Sequence, residues 1–180
     1  LEDHHQPGRG AVPCHTANVA GSISRGTAAG ATDQQGTAMS DIRVLVVEDE
    51  PIAAAAHAAY IGRLAGFTLA GTAPDGQSAL RLMTDFAAAG TPVDLVLLDM
   101  NLPDLHGLDI ARRMRAAGLF ADIIAITAVR ELNIVRSAVA TGVVQYLIKP
   151  FTFATFADKL GSYRLFREQL AYPAAEQAEP

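Results

Sequence analysis

VLLDMNLPDLHG, residues 96–107, decides how the rest of the chain is read. An apolar run ends abruptly on Asp99, and a loop carrying Pro103 leads to Gly107. Such a run, bounded by turn residues, has the character of a strand buried on both faces. An ionised carboxylate at the edge of a core is costly unless a cation or hydrogen-bond donors receive it. Asp99 therefore marks a candidate functional site, and its partners have to come from elsewhere in the chain.

From Ile42 onward, strand-like apolar runs alternate with longer helix-like segments. The pattern predicts strands at Arg43–Val47, Thr68–Thr72, Leu95–Leu98, Ile123–Thr127 and Val144–Ile148. It predicts helices at about Ile52–Leu64, Gly76–Ala89, Gly107–Ala117, Leu132–Thr141 and Thr152–Gln169. Asp75-Gly76, Gly90 with Pro92, Gly118 and Gly142 fall at the breaks. Five β/α units in succession imply an α/β fold, a doubly wound parallel sheet with helices on both faces. The first, third and fourth strands are almost purely apolar, as central strands are.

In such a sheet the residues just beyond the carboxyl ends of the central strands gather in one crevice. Reading off those ends gives Glu48 and Asp49, then Asp99, Thr127 and Lys149. Three acids held together favour either a proton or a divalent cation, and all-oxygen ligands of this kind suit Mg²⁺. With Mg²⁺ and an ammonium present, an acyl phosphate on Asp99 is chemically sensible, because both offset the charge of a transferring phosphoryl group. Thr127 is placed to donate its hydroxyl to a phosphoryl oxygen.

VLVVEDE, LVLLDMNLPDLHGLD, IIAITA and YLIKPF, in that order and spacing, resemble the receiver domain of two-component response regulators over about Ile42 to Phe166. The resemblance implies a CheY-like, flavodoxin-like sheet of five parallel strands in the order 2-1-3-4-5 with five helices. It implies that Asp99 accepts phosphate from a sensor histidine kinase. Glu48 and Asp49 would form the acidic pair around Mg²⁺, joined by the Asp99 carboxylate and the backbone carbonyl of Asn101. Thr127 and Lys149 would bind the phosphoryl group, and the Lys149–Pro150 bond would be cis. Tyr146 matches the family's switch aromatic, moving inward as Thr127 turns to the phosphate and altering the face of the last two helices and the strand between them. Such coupling works only as far as the phosphate favours one state over the other. Val129 stands where the family tunes phosphate lifetime.

EDEPIAAAAHAAYIGRLAGF, NLPDLHGLD and YLIKPFTFATFADKLGSYRLFREQL further resemble receivers of the citrate and C4-dicarboxylate type, which precede a helix-turn-helix DNA-binding domain. The segment after Leu170, AYPAAEQAEP, is too short and acidic for a recognition helix, so any transcriptional output is expected through a DNA-binding domain missing from this chain. The resemblance makes the domain a phosphoacceptor and not a turnover enzyme. Val135 and Val139 on the helix predicted at Leu132–Thr141 are compatible with a homodimer formed on phosphorylation. One alternative is a stand-alone receiver acting by docking or phosphorelay. Another, a haloacid dehalogenase-like phosphohydrolase, needs a second aspartate where Asn101 stands and a nucleophile on the first strand.

Composition bounds the remaining classes. The formal net charge of -5 over 180 residues argues against a broad basic surface for nucleic acid. A single cysteine, Cys14, allows no intrachain disulfide framework, and neither a membrane span nor a secretory signal is visible, so the expectation is a cytoplasmic protein. Residues 1–40 lack periodicity and are expected to be disordered, with Met39 as the natural start. Residues 41–166 form the expected receiver, and 167–180 the end of the last helix and a linker. His4, His5, Cys14 and His15 match no zinc spacing. His57 and His106 read as structural or surface residues, and Asp104 and Asp109 as solvated or capping ones. No G-x-x-x-x-G-K-[ST] or G-x-G-x-x-G pattern follows the first strand.

Overall fold

The computed structural model describes residues 40–128 and 141–171. In chain order they form β1 (Ile42–Val47), α1 (Pro51–Ile61), β2 (Phe67–Ala73), α2 (Gly76–Ala88), β3 (Leu95–Asp99), α3 (Gly107–Ala116), β4 (Asp122–Ala128), β5 (Val143–Lys149) and α4 (Phe153–Ala171). The helix predicted at Leu132–Thr141 falls almost wholly outside the described residues, so four of the five expected helices are described. Among these residues no helix is long and apolar enough to cross a membrane.

The strands form one parallel sheet in the order β2-β1-β3-β4-β5. Chain order reverses between β1 and β3, which opens the crevice beyond their carboxyl ends. Every residue of β3 is buried, and β1 and β4 are buried nearly throughout, whereas β2 and β5 are half-exposed edge strands. The two-residue period of a strand splits the apolar side chains between the faces. Leu45, Val47, Val96, Leu98, Ile123 and Ala125 pack against α2 and α3. Val44, Val46, Leu95, Leu97, Ile124 and Ile126 pack against α1 and α4 through Ile61, Phe156, Leu160 and Tyr163.

Local chemistry starts each helix where the loop must end. Glu50 accepts from the backbone N–H groups of Ile52 at 3.1 Å and Ala53 at 2.6 Å, with Pro51 preset for the first turn. Asp75 accepts from Ser78 N at 2.7 Å, and His106 Nδ1 from Leu108 N at 3.2 Å. Gly107 is a glycine for want of room: a Cβ there would sit 2.9 Å from the Met100 Cα. The loop after Asp99 can therefore fold tightly back on itself, with Gly107 N donating to Met100 O at 2.9 Å.

Candidate functional site

Parallel strands in this order bring the carboxyl ends of β1, β3, β4 and β5 into one row. Asp99 is the last residue of β3 and pairs in register with Ile126, so the ladder itself fixes its backbone. Glu48 and Asp49 follow β1 directly, Thr127 lies near the end of β4 and Lys149 closes β5. Glu48, Asp99 and Thr127 are 3%, 6% and 2% exposed, while Asp49 faces solvent.

Lys149 Nζ donates to Asp99 Oδ2 at 2.7 Å and to Glu48 Oε2 at 3.0 Å. The other Asp99 oxygen, Oδ1, accepts from the backbone N–H of Asn101 at 2.9 Å. Oxygens of Glu48, Asp49 and Asp99 all lie within 4.8 Å of one another. Burial pushes the Glu48 carboxyl above its usual range, and the nearby Asp99 charge adds to this against the hydrogen bond from Lys149. Lys149 moves upward as well: burial alone would lower it, but the hydrogen bonds to Asp99 and Glu48 outweigh that. Three clustered carboxylates share this one ammonium among the described residues, and the set consists of hard oxygen donors with one acid open to water. That donor set fits a divalent cation of the Mg²⁺ kind, which keeps several of its waters.

Of the residues expected at the site, Glu48, Asp49, Asp99 and Lys149 converge directly. Asn101 reaches it through its backbone N–H and forms a bridge with His106 across the loop. Thr127 is buried beside it, its Oγ1 donating to Ala128 O at 3.3 Å. Tyr146 lies farther along β5, half-buried against the core on the α2 and α3 side, with Lys159 Nζ 5.6 Å from its ring centre. The Lys149–Pro150 peptide is cis. Asp104 caps α2 from across the loop, accepting from Gly76 N at 2.9 Å and Gln77 N at 3.0 Å, and Asp109 pairs with Arg112. Val129, Val135, Val139, His4, His5, Cys14 and His15 lie outside the described residues.

His57 is the site residue that the sequence reading passed over. It is no surface residue: it is 6% exposed and lies 3.9 Å from Glu48 Oε2 through Nδ1. The helical spacing of His57, Tyr60, Ile61 and Leu64 was the available signal, because it puts the histidine on the inward stripe of α1.

The family profile of the response regulator receiver domain matches residues 44–160. The chain belongs to this family. The receiver is 37% identical over 131 residues to the transcriptional regulatory protein MalR of Bacillus subtilis, covering 73% of this chain and 53% of that protein. It is 33% identical over 128 residues to the probable C4-dicarboxylate response regulator DctR of Halalkalibacterium halodurans, covering 71% of this chain and 54% of the relative. The chain thus spans about half the length of the curated relatives it matches. In fold, it is similar to a LuxR-family two-component response regulator from an Aurantimonas species, with a TM-score of 0.61 at 24% identity, covering 71% of this chain and 87% of the other. Receivers of response regulators are signalling proteins. The dehalogenase-like alternative fails on topology, since Asp99 ends the third strand and Asn101 stands where a second aspartate is needed.

Proposed function

We propose that this receiver takes a phosphoryl group onto Asp99 from the phosphohistidine of a sensor kinase. What supports the reading is Lys149 Nζ, held between Asp99 Oδ2 and Glu48 Oε2. An ammonium in contact with the nucleophilic carboxylate sits where negative charge spreads over the transferring group. An Asp99 oxygen forms the new P–O bond as the P–N bond to the donor imidazole breaks, and the imidazole nitrogen keeps the electron pair. Lys149 and the Thr127 hydroxyl then donate to phosphoryl oxygens. Glu48, Asp49, Asp99 and the Asn101 backbone carbonyl would hold Mg²⁺, which supplies positive charge to offset that of the phosphoryl group.

In this reading Thr127 and Tyr146 form the switch: as Thr127 turns to the phosphate, Tyr146 moves inward and the surface around β5 and α4 changes. Residues 41–166 are the receiver unit, and 167–180 the end of the last helix and a linker. The protein works in the cytoplasm, dimerises on phosphorylation and controls transcription through a DNA-binding domain beyond this segment, in keeping with its transcriptional-regulator and C4-dicarboxylate relatives.

Intact-mass spectrometry after incubation with Mg²⁺ and phosphoramidate tests the proposal. One added phosphoryl group, labile at alkaline pH and absent in Asp99→Asn, is the expected result. An acid-stable adduct, or one that persists in the variant, would overturn it.

A further inference from the structure

Two buried side chains, Ile61 and His57, anchor α1 in the core, and most of the helix between its ends is alanine. A histidine at one of two anchor points needs a reason, because burying a polar atom without a partner carries its full desolvation penalty. Nδ1 of His57 is fully buried and has no hydrogen-bond partner among the described residues. It lies 3.9 Å from Glu48 Oε2, which is about 1 Å beyond an ordinary hydrogen bond. That same oxygen accepts from Lys149. The ring is fixed by stacking on Phe151, with centroids 5.3 Å apart, and on Phe156 at 6.4 Å. Phe151 directly follows the Lys149–Pro150 peptide. One side of the imidazole therefore faces the Glu48 carboxylate, and its flat face carries the segment that leads away from Lys149.

We propose that His57 is a positioning residue for Glu48, its Nδ1–H donating to Glu48 Oε2 once Lys149 Nζ turns to the phosphoryl group on Asp99. The inference rests on the phosphoacceptor reading, because only there does Lys149 leave Glu48. A nearly fully buried carboxylate that loses its ammonium partner is left with an unpaired oxygen and rotates, unless another donor holds it. Closing the 3.9 Å gap supplies that donor and keeps the Glu48 carboxylate oriented toward Asp49 and Asp99. The contact requires the tautomer with the proton on Nδ1. Phenylalanine at this position keeps the stack and donates nothing, whereas asparagine keeps a donor.

Two measurements on the full chain test the proposal. Long-range ¹H–¹⁵N correlation on histidine-labelled protein reads the tautomer. The Nδ1–H form, with a proton shift on adding Mg²⁺ and phosphoramidate, is expected, and an Nε2–H form throughout would overturn the proposal. Calorimetric titration with Mg²⁺ is then run on the wild type, His57→Phe and His57→Asn in the presence of beryllofluoride, which takes the phosphoryl position on Asp99 and draws Lys149 away from Glu48, with folding checked by circular dichroism. His57→Phe should weaken Mg²⁺ binding about tenfold and His57→Asn by no more than about twofold. Equal affinity in all three, or asparagine as weak as phenylalanine, would reduce His57 to a packing residue. Phosphoryl transfer is read separately by intact mass. Loss of the phosphoacceptor reading therefore appears as a wild-type chain without adduct, and loss of the His57 role as His57→Phe matching wild type in Mg²⁺ affinity.

Discussion

At the amino-terminal ends of β3 and β4, Asp94 and Asp122 meet Arg167 and Tyr163 of α4; at the carboxyl ends of β1 and β3, Glu48, Asp49 and Asp99 meet Lys149 of β5. In the first group each acid has its own donor. Asp94 Oδ2 accepts from Arg43 N at 2.9 Å and its Oδ1 lies 3.2 Å from Arg167, while Asp122 Oδ2 accepts from the Tyr163 hydroxyl at 2.8 Å. The second group has three acids around one ammonium and a buried histidine nitrogen without a partner among the described residues. The first group sets two acids against one guanidinium and keeps them apart on separate donors, whereas the second crowds three acids around one ammonium. A polar cluster with each acid on its own donor holds elements in place, whereas acids crowded around a shared ammonium are where chemistry is expected.

The difference can be broken from either end. The largest effect is expected from Asp99→Asn, which should abolish phosphoryl uptake by intact mass while circular dichroism shows a folded domain, because the amide is nearly isosteric. Lys149→Ala comes next: phosphorylation by phosphoramidate should slow about a hundredfold, while Mg²⁺ still binds in a calorimetric titration. At the opposite end, Tyr163→Phe should cost about 1 kcal/mol in urea unfolding and leave the phosphorylation rate unchanged. Burial, helped by the hydrogen bond to Asp122, pushes the Tyr163 hydroxyl well above its ordinary value. Its stabilising contribution is therefore full below about pH 10 and declines as pH rises further. Unfolding curves across that range should show the alkaline decline in the wild type and a flatter one in the variant.

The smallest effect is expected from Asp104→Asn at the α2 cap. Its slight burial works upward, but the N–H groups of Gly76 and Gln77 outweigh it and hold the carboxyl below its ordinary value. A lowered carboxyl gives stability that is present above about pH 4 and is lost as pH falls. Thermal melts at pH 7 should register a loss of about 0.5 kcal/mol, small because the group is solvent-screened. The loss should shrink toward pH 3.

Much of this contrast was legible in the sequence at one end and hidden at the other. The apolar runs of β1, β3 and β4 announce central strands, and a parallel sheet then leaves Glu48, Asp49, Asp99 and Lys149 little choice but to meet. Helix ends were less legible. The spacing carries α1 to Leu64, but the helix stops at Ile61, and Gly62 and Leu64 close a turn against Ala58 and Ile61. Arg167 with Asp94 and Tyr163 with Asp122 are side-chain pairs far apart in the chain, and no local period encodes them. The same holds for Asp104, which caps a helix that begins 28 positions earlier. His57 was hidden for another reason: its position on the stripe marks it as buried, but only the fold puts Glu48 beside it.

Borohydride reduction of the phosphorylated chain, followed by peptide mapping, identifies the phosphoacceptor itself, because it converts an aspartyl phosphate to homoserine at the residue that carried it. Homoserine is expected at position 99 alone, formed with Mg²⁺ present and lost when Mg²⁺ is chelated. Conversion at another acid, or conversion at 99 that is indifferent to Mg²⁺, would contradict it.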